Sequence, residues 1–103
     1  HASIIFTSSS VGRESKAFWG AYAVSKFAIE GLMQTMAAEL ENTSKVRVNS
    51  YNPGGTRTSM RAAAYPAENP ETVKTPHAII DEYIHLMSDA GHGTHGQALT
   101  FQQ

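Results

Sequence analysis

The sequence predicts an α/β fold with a parallel sheet, on three observations. Ser3-Ile4-Ile5-Phe6-Thr7 is a short, continuous, largely apolar run of the kind that parallel sheets bury. From about Gly20 to Leu40 the composition turns to Ala, Met, Leu, Glu and Gln, which favour helix. After that come a strand, an irregular insert, a helix and a strand, an alternation that implies parallel strands joined by right-handed crossovers.

Each element has its own signals. The polar string Ser8-Ser9-Ser10 and Gly12 end the first strand and open a loop that runs to about Phe18. In the long helix, Ala28, Leu32, Thr35/Met36 and Glu39/Leu40 trace a mostly apolar stripe expected to face the core. Gly31 interrupts that helix and predicts a close approach by a neighbouring element. Val46-Arg47-Val48-Asn49-Ser50-Tyr51 reads as the second strand, stopped by Asn52-Pro53-Gly54-Gly55. Residues 56–75 have no clean period and read as a loop with one short helix. Thr75-Pro76 marks the next helix start, with threonine as N-cap and proline in the first turn. Ile79, Ile80, Tyr83, Ile84, Leu86 and Met87 are its expected buried side. Ala98-Leu99-Thr100-Phe101 is the last strand.

The chain has 103 residues, enough for one domain. The formal net charge is -1, which gives no electrostatic case for nucleic acid or a membrane surface. No stretch has the length of a membrane span, and no basic, apolar leader opens the chain. Cysteine is absent, so disulfides and thiolate metal sites are excluded, and a cytoplasmic location is expected. The chain begins with His1 and enters a strand at once. Its first strand would be an open apolar edge, so a fragment with more sheet upstream is expected.

Chemistry concentrates in Ser9, Tyr22 and Lys26. Tyr22 and Lys26 are four residues apart on the long helix and share a face. A free phenol holds its proton too tightly for exchange at neutral pH. A cation about 5 Å away, at an effective dielectric of about 20, favours phenolate by roughly 3 kcal/mol. A serine hydroxyl nearby can hold a carbonyl or alcohol oxygen in line with that phenol.

Ser8-Ser9-Ser10-Val11-Gly12, Tyr22-Ala23-Val24-Ser25-Lys26 and Asn52-Pro53-Gly54-Gly55-Thr56-Arg57-Thr58, in this order and spacing, resemble the short-chain dehydrogenase/reductase family. The wording of the first two blocks is closest to its YciK-like bacterial oxidoreductases. Gly96-Gln97 before the last strand agrees. The resemblance implies the C-terminal half of a Rossmann-type doubly wound parallel sheet, part of an NAD(P)(H)-dependent oxidoreductase acting on a carbonyl or alcohol. It implies that Tyr22 donates or accepts the proton, that Lys26 tunes it and bonds the nicotinamide ribose, and that Ser9 orients the substrate oxygen. It implies further that Pro53, Gly54, Gly55 and Thr56 pack by the nicotinamide and that Thr58 bonds its carboxamide. Pairing into a homo-oligomer through the long helix is also implied.

The family's glycine-rich phosphate loop, its ribose selector and its upstream asparagine have no counterpart here, so NAD and NADP are not distinguished and the chain alone should not turn over. The tail lacks the Asp-Gly-Gly that often follows the last strand. A non-catalytic dinucleotide-binding or structural subunit is the alternative, and an autonomous binding module a third. Phe18, Trp19, Met60 and Tyr65 flank the site as pocket or packing residues. Arg57 and Arg61 are phosphate contacts or solvated charges. His92 and His95 read as surface residues rather than metal ligands. Asn42-Thr43-Ser44 fits the glycosylation pattern, which only a secreted chain would use.

Overall fold

A computed structural model describes residues 2–101. His1 and the tail residues Gln102 and Gln103 lie outside them. Strand β1 is Ala2–Thr7, helix α1 Gly20–Leu40, strand β2 Val46–Asn52, helix α2 Ser59–Ala64, helix α3 Ile80–Met87 and strand β3 Ala98–Thr100. The strands form one parallel sheet in the order β1-β2-β3, with Ala2 opposite Val46 and Ser50 opposite Ala98. The α/β class, the long helix and all three strands are where the sequence puts them.

Alternation along the strands assigns the two faces. Ile4, Phe6, Val46 and Val48 pack with Met33, Met36, Ala37 and Leu40 of α1 into the core. The opposite face carries Ser3, Thr7 and Tyr51, and α3 covers it. Ser3 Oγ donates to the Leu86 carbonyl at 2.8 Å, and Tyr83 stacks edge-on against Tyr51 at 5.1 Å. The strands advance in one direction while their helices take opposite faces. The two crossovers are therefore of opposite hand, which corrects the expectation that both are right-handed.

The apolar stripe of α1 also needs correction. Ala23, Glu30, Met33 and Ala37 are its buried positions, whereas Ala28, Thr35 and Glu39 are exposed and Leu32 is 48% exposed. This helix is apolar on more than one side, so periodicity alone does not choose the core face. Gly31 has open space where a side chain would be, so no close approach is made there.

In the C-terminal part, Thr75 makes no side-chain cap. Pro76–Ile79 is a 3₁₀ turn that precedes α3. Leu86 is buried, but Ile80, Ile84 and Met87 are 41%, 54% and 58% exposed. Only part of the apolar surface of α3 meets this sheet. Residues 56–74 form a closed excursion: Thr56 and Lys74 pair as an isolated bridge, and the Arg57 amide donates to the Lys74 carbonyl at 2.7 Å. Among the described residues no helix is long and apolar enough to cross a membrane.

Candidate active site

The C-terminal ends of β1 and β2 open side by side, where α/β sheets place their ligands. After β1, the Ser8 amide still donates to the Tyr51 carbonyl at 2.8 Å, which keeps the serine run on the sheet edge. Ser9 then caps the 3₁₀ turn Ser10–Gly12, its Oγ accepting from the Val11 amide at 3.4 Å. Ser8 is buried, Ser9 half-buried and Ser10 exposed. Gly12 seats this turn on α1. A Cβ there would lie 2.9 Å from the Cβ of Lys26 and 3.0 Å from its carbonyl oxygen.

On α1, Lys26 and Tyr22 meet as the helical spacing requires. The ammonium lies 5.6 Å from the centroid of the Tyr22 ring and donates to the Thr7 carbonyl at 3.1 Å. Thr7 in turn shares a 2.7 Å hydrogen bond with the Tyr83 hydroxyl. The lysine is thus tied to the end of β1, and that strand end to α3.

After β2, the Asn52 carboxamide oxygen accepts from the Gly54 amide at 2.9 Å, a side-chain-stabilised turn. Gly54 takes φ +73, which a side chain would resist. Thr56 Oγ1 donates to the Gly54 carbonyl at 3.1 Å, and Lys74 Nζ donates to the Gly55 carbonyl at 2.7 Å. Burial, and then the nearby Arg61 charge, hold the Lys74 ammonium below its ordinary value of 10.5. Thr58 caps α2, its Oγ1 accepting from the Arg61 amide at 3.1 Å.

Ser9, Tyr22, Lys26, Pro53, Gly54, Gly55, Thr56 and Thr58 all line one hollow of about 540 Å³. Its outer wall comes from Trp19, Met60 and Tyr65. Trp19 packs edge-on against Tyr22 at 5.8 Å and tilted against Tyr65 at 6.2 Å. Phe18 does not join them: it points out, fully exposed, at φ 70.

Both arginines of the insert are engaged within it, Arg57 at the surface and Arg61 more firmly. Arg57 donates to the Pro70 carbonyl at 2.8 Å and pairs with Glu71. Arg61 holds both carboxylate oxygens of Glu68, at 2.9 and 2.8 Å, with its guanidinium 4.0 Å from the Tyr65 ring centroid. The hydrogen bond from Arg61 is the main cause of a Glu68 carboxyl held below its ordinary 4.5. His95 is not a surface residue. Its Nδ1 accepts from the Val48 amide at 3.1 Å and its Nε2 meets the Ala37 carbonyl at 2.8 Å, so the imidazole joins β2 to α1. Among the described residues no cluster of His, Cys, Asp or Glu could hold a metal ion.

Sequence reasoning missed several supporting residues. Arg13 donates to the Leu99 carbonyl at 2.8 Å and pairs with buried Glu30 at 3.6 Å, so it links the serine loop, α1 and β3. Glu30 was legible only as a charge at a position of α1 that shares a face with Ala23 and Ala37. Lys74 and Tyr83 act across long sequence separations and leave no local pattern.

A parallel sheet thus places a serine turn, a Tyr/Lys helix face and a Pro-Gly turn around one hollow. The family model for short chain dehydrogenase matches residues 1–69, and the chain belongs to that family. It is 58% identical over 87 residues to the uncharacterized oxidoreductase YciK of Escherichia coli strain K12, covering 84% of this chain and 34% of that protein. A short chain dehydrogenase structure from Pseudomonas syringae superposes with TM-score 0.93 at 60% identity, covering 97% of this chain and 40% of that one. Another, from Escherichia coli CFT073 and complexed with NADPH, gives TM-score 0.90 at 52% identity, with 96% and 40% covered. The chain spans well under half the length of these relatives.

Proposed function

We propose that this chain is the C-terminal catalytic half of an NADP(H)- or NAD(H)-dependent carbonyl/alcohol oxidoreductase. The carrying observation is the single hollow shared by Ser9, Tyr22, Lys26 and the Pro53-Gly54-Gly55 turn. The short chain dehydrogenase structure from Escherichia coli CFT073 complexed with NADPH supports the cofactor class.

The residues present suit a nicotinamide riboside. Lys26 spends one ammonium hydrogen on Thr7 and has two more for ribose hydroxyls. Thr58 accepts from Arg61 with its oxygen and so keeps its own hydroxyl hydrogen for a carboxamide oxygen. Gly54 and Gly55 present bare backbone, where a Cβ on Gly55 would press on the Arg61 guanidinium at 3.2 Å. Thr56 braces the turn. When bound, the nicotinamide supplies or takes up a hydride. Tyr22 gives the proton to the substrate oxygen in reduction and removes it in oxidation, so one hydride and one proton convert C=O to CH–OH. Ser9 holds that oxygen, and the Lys26 ammonium lies 5.6 Å from the centre of the Tyr22 ring that hands over the proton.

In this proposal an upstream segment pairs with the free edge of β1 and supplies the pyrophosphate site. The outer side of α1, with Val24, Phe27 and Leu32 at 69%, 46% and 48% exposed, pairs with a second copy. A cytoplasmic location completes the assignment, and cell fractionation tests it. The enzymatic test is Tyr22→Phe in the full-length protein. We expect turnover to fall by about 10²–10⁴-fold with cofactor binding intact. Full turnover in that variant would reject the assignment.

A further inference from the structure

We propose that Trp19 and Tyr65 select the substrate, and that it is an uncharged carbonyl compound with a flat, apolar body. This rests on the oxidoreductase reading of the hollow and adds to it the identity of what enters. Trp19 packs against both Tyr22 and Tyr65, with centroids 5.8 and 6.2 Å apart, and all three rings line the hollow. We place the carbon skeleton of a substrate whose oxygen meets Tyr22 against the Trp19 and Tyr65 rings. Met60 and Ala64 fill in the same wall. Aromatic faces of this kind favour flat apolar partners in offset or edge contact.

Charge points the same way. Among the described residues no Asp or Glu lines the hollow, so a cationic substrate meets no counter-ion there. Two of the cations that line it are already engaged in the proposed complex. Arg61 is neutralised by both oxygens of Glu68 while lying over Tyr65, and Lys26, bonded to Thr7, gives its remaining hydrogens to the ribose. Lys16 reaches the rim but is exposed, where one solvated charge discriminates weakly. An anionic substrate would lose its hydration and gain at most the solvated Lys16 charge.

The test uses the full-length protein with NADPH and a matched pair of aryl ketones, methyl 4-acetylbenzoate and its carboxylate 4-acetylbenzoate, with 2-butanone as the small aliphatic control. We expect kcat/KM for the ester to exceed that for the carboxylate and for 2-butanone by at least about 30-fold. Tyr65→Ala and Trp19→Ala should each raise the ester's KM by about 10-fold or more with NADPH affinity unchanged, and Tyr65→Phe, which keeps the ring, should recover most of that loss. Tyr65 lies on the insert, away from the core, so its variants keep the test valid if Trp19→Ala fails to fold. Equal or better turnover of the carboxylate, or an ester KM indifferent to Tyr65→Ala, overturns the substrate assignment while Tyr22-dependent turnover leaves the oxidoreductase reading standing. Failure to reduce either aryl ketone while other carbonyls are turned over also overturns it. Failure to reduce any carbonyl overturns both.

Discussion

Gly12 lies directly against Lys26: a methyl group on the glycine would sit 2.9 Å from the lysine Cβ and 3.0 Å from its carbonyl oxygen. This contact fixes the distance between the serine turn and the helix that carries Tyr22. Neither opposing atom is the far end of a flexible side chain, so a larger residue must move the turn. Gly12→Ala should cost about 1–3 kcal/mol of stability through overpacking. In the full-length protein it should lower kcat as well, because the turn that carries Ser9 shifts. Denaturant unfolding and steady-state kinetics on the same preparation check both.

His95 should matter for stability rather than chemistry. It accepts from the amide of Val48, a residue with no exposed surface, and bonds the Ala37 carbonyl. His95→Ala strands a buried N–H and should destabilise by about 1–3 kcal/mol, with His95→Gln losing less because its amide can both accept and donate. Urea midpoints of the two variants check this.

Tyr51 sets an alkaline limit. Burial first, then the charge of Glu82 and the neighbouring Tyr83, hold its phenol above 10.0. The folded state thus keeps this proton more tightly than the unfolded chain. Stability from this group is complete below pH 10 and falls as pH rises through the folded value. Among the described residues the hydroxyl has no hydrogen-bond partner. Tyr51→Phe should therefore change stability at neutral pH by less than about 1 kcal/mol and flatten its decline as pH rises above 10.0. Melting temperature against pH for both proteins measures it.

The insert should loosen in acid. Glu68 is held below its ordinary 4.5 chiefly by the hydrogen bond from Arg61. Its contribution is present above pH 4.5 and disappears as pH falls through the lower, folded value. Protection factors in residues 57–74, taken against the intrinsic exchange rate at each pH, should fall over that window, and Glu68→Gln should be weakly protected at every pH.

The sequence carries the local parts of this structure and not the distant ones. The range of α1, the turn at Asn52-Pro53-Gly54 and the Tyr22/Lys26 face follow from composition, turn chemistry and a four-residue spacing. The core face of α1 does not, because Val24, Phe27 and Leu32 compete with Met33 and Ala37 and only the sheet decides between them. The opposite hands of the crossovers come from α3 settling on the Ser3/Thr7/Tyr51 face. Lys74 reaching Gly55, Tyr83 reaching Thr7 and Arg13 reaching Leu99 span too much chain for any window to reveal. His95 shows the same limit: nothing in its Gly-rich loop marks it out until Val48 and Ala37 arrive beside it.

The central claim is that Ser9 and Tyr22 act as one unit on one oxygen. The measurement is kcat/KM of full-length Ser9→Ala, Tyr22→Phe and the double variant on one carbonyl substrate. We predict that each single change costs about 10²-fold or more and that the double variant is no worse than Tyr22→Phe alone within about threefold, since residues of one catalytic unit are not additive. Losses that simply multiply, or a Ser9→Ala enzyme with full activity, would contradict it.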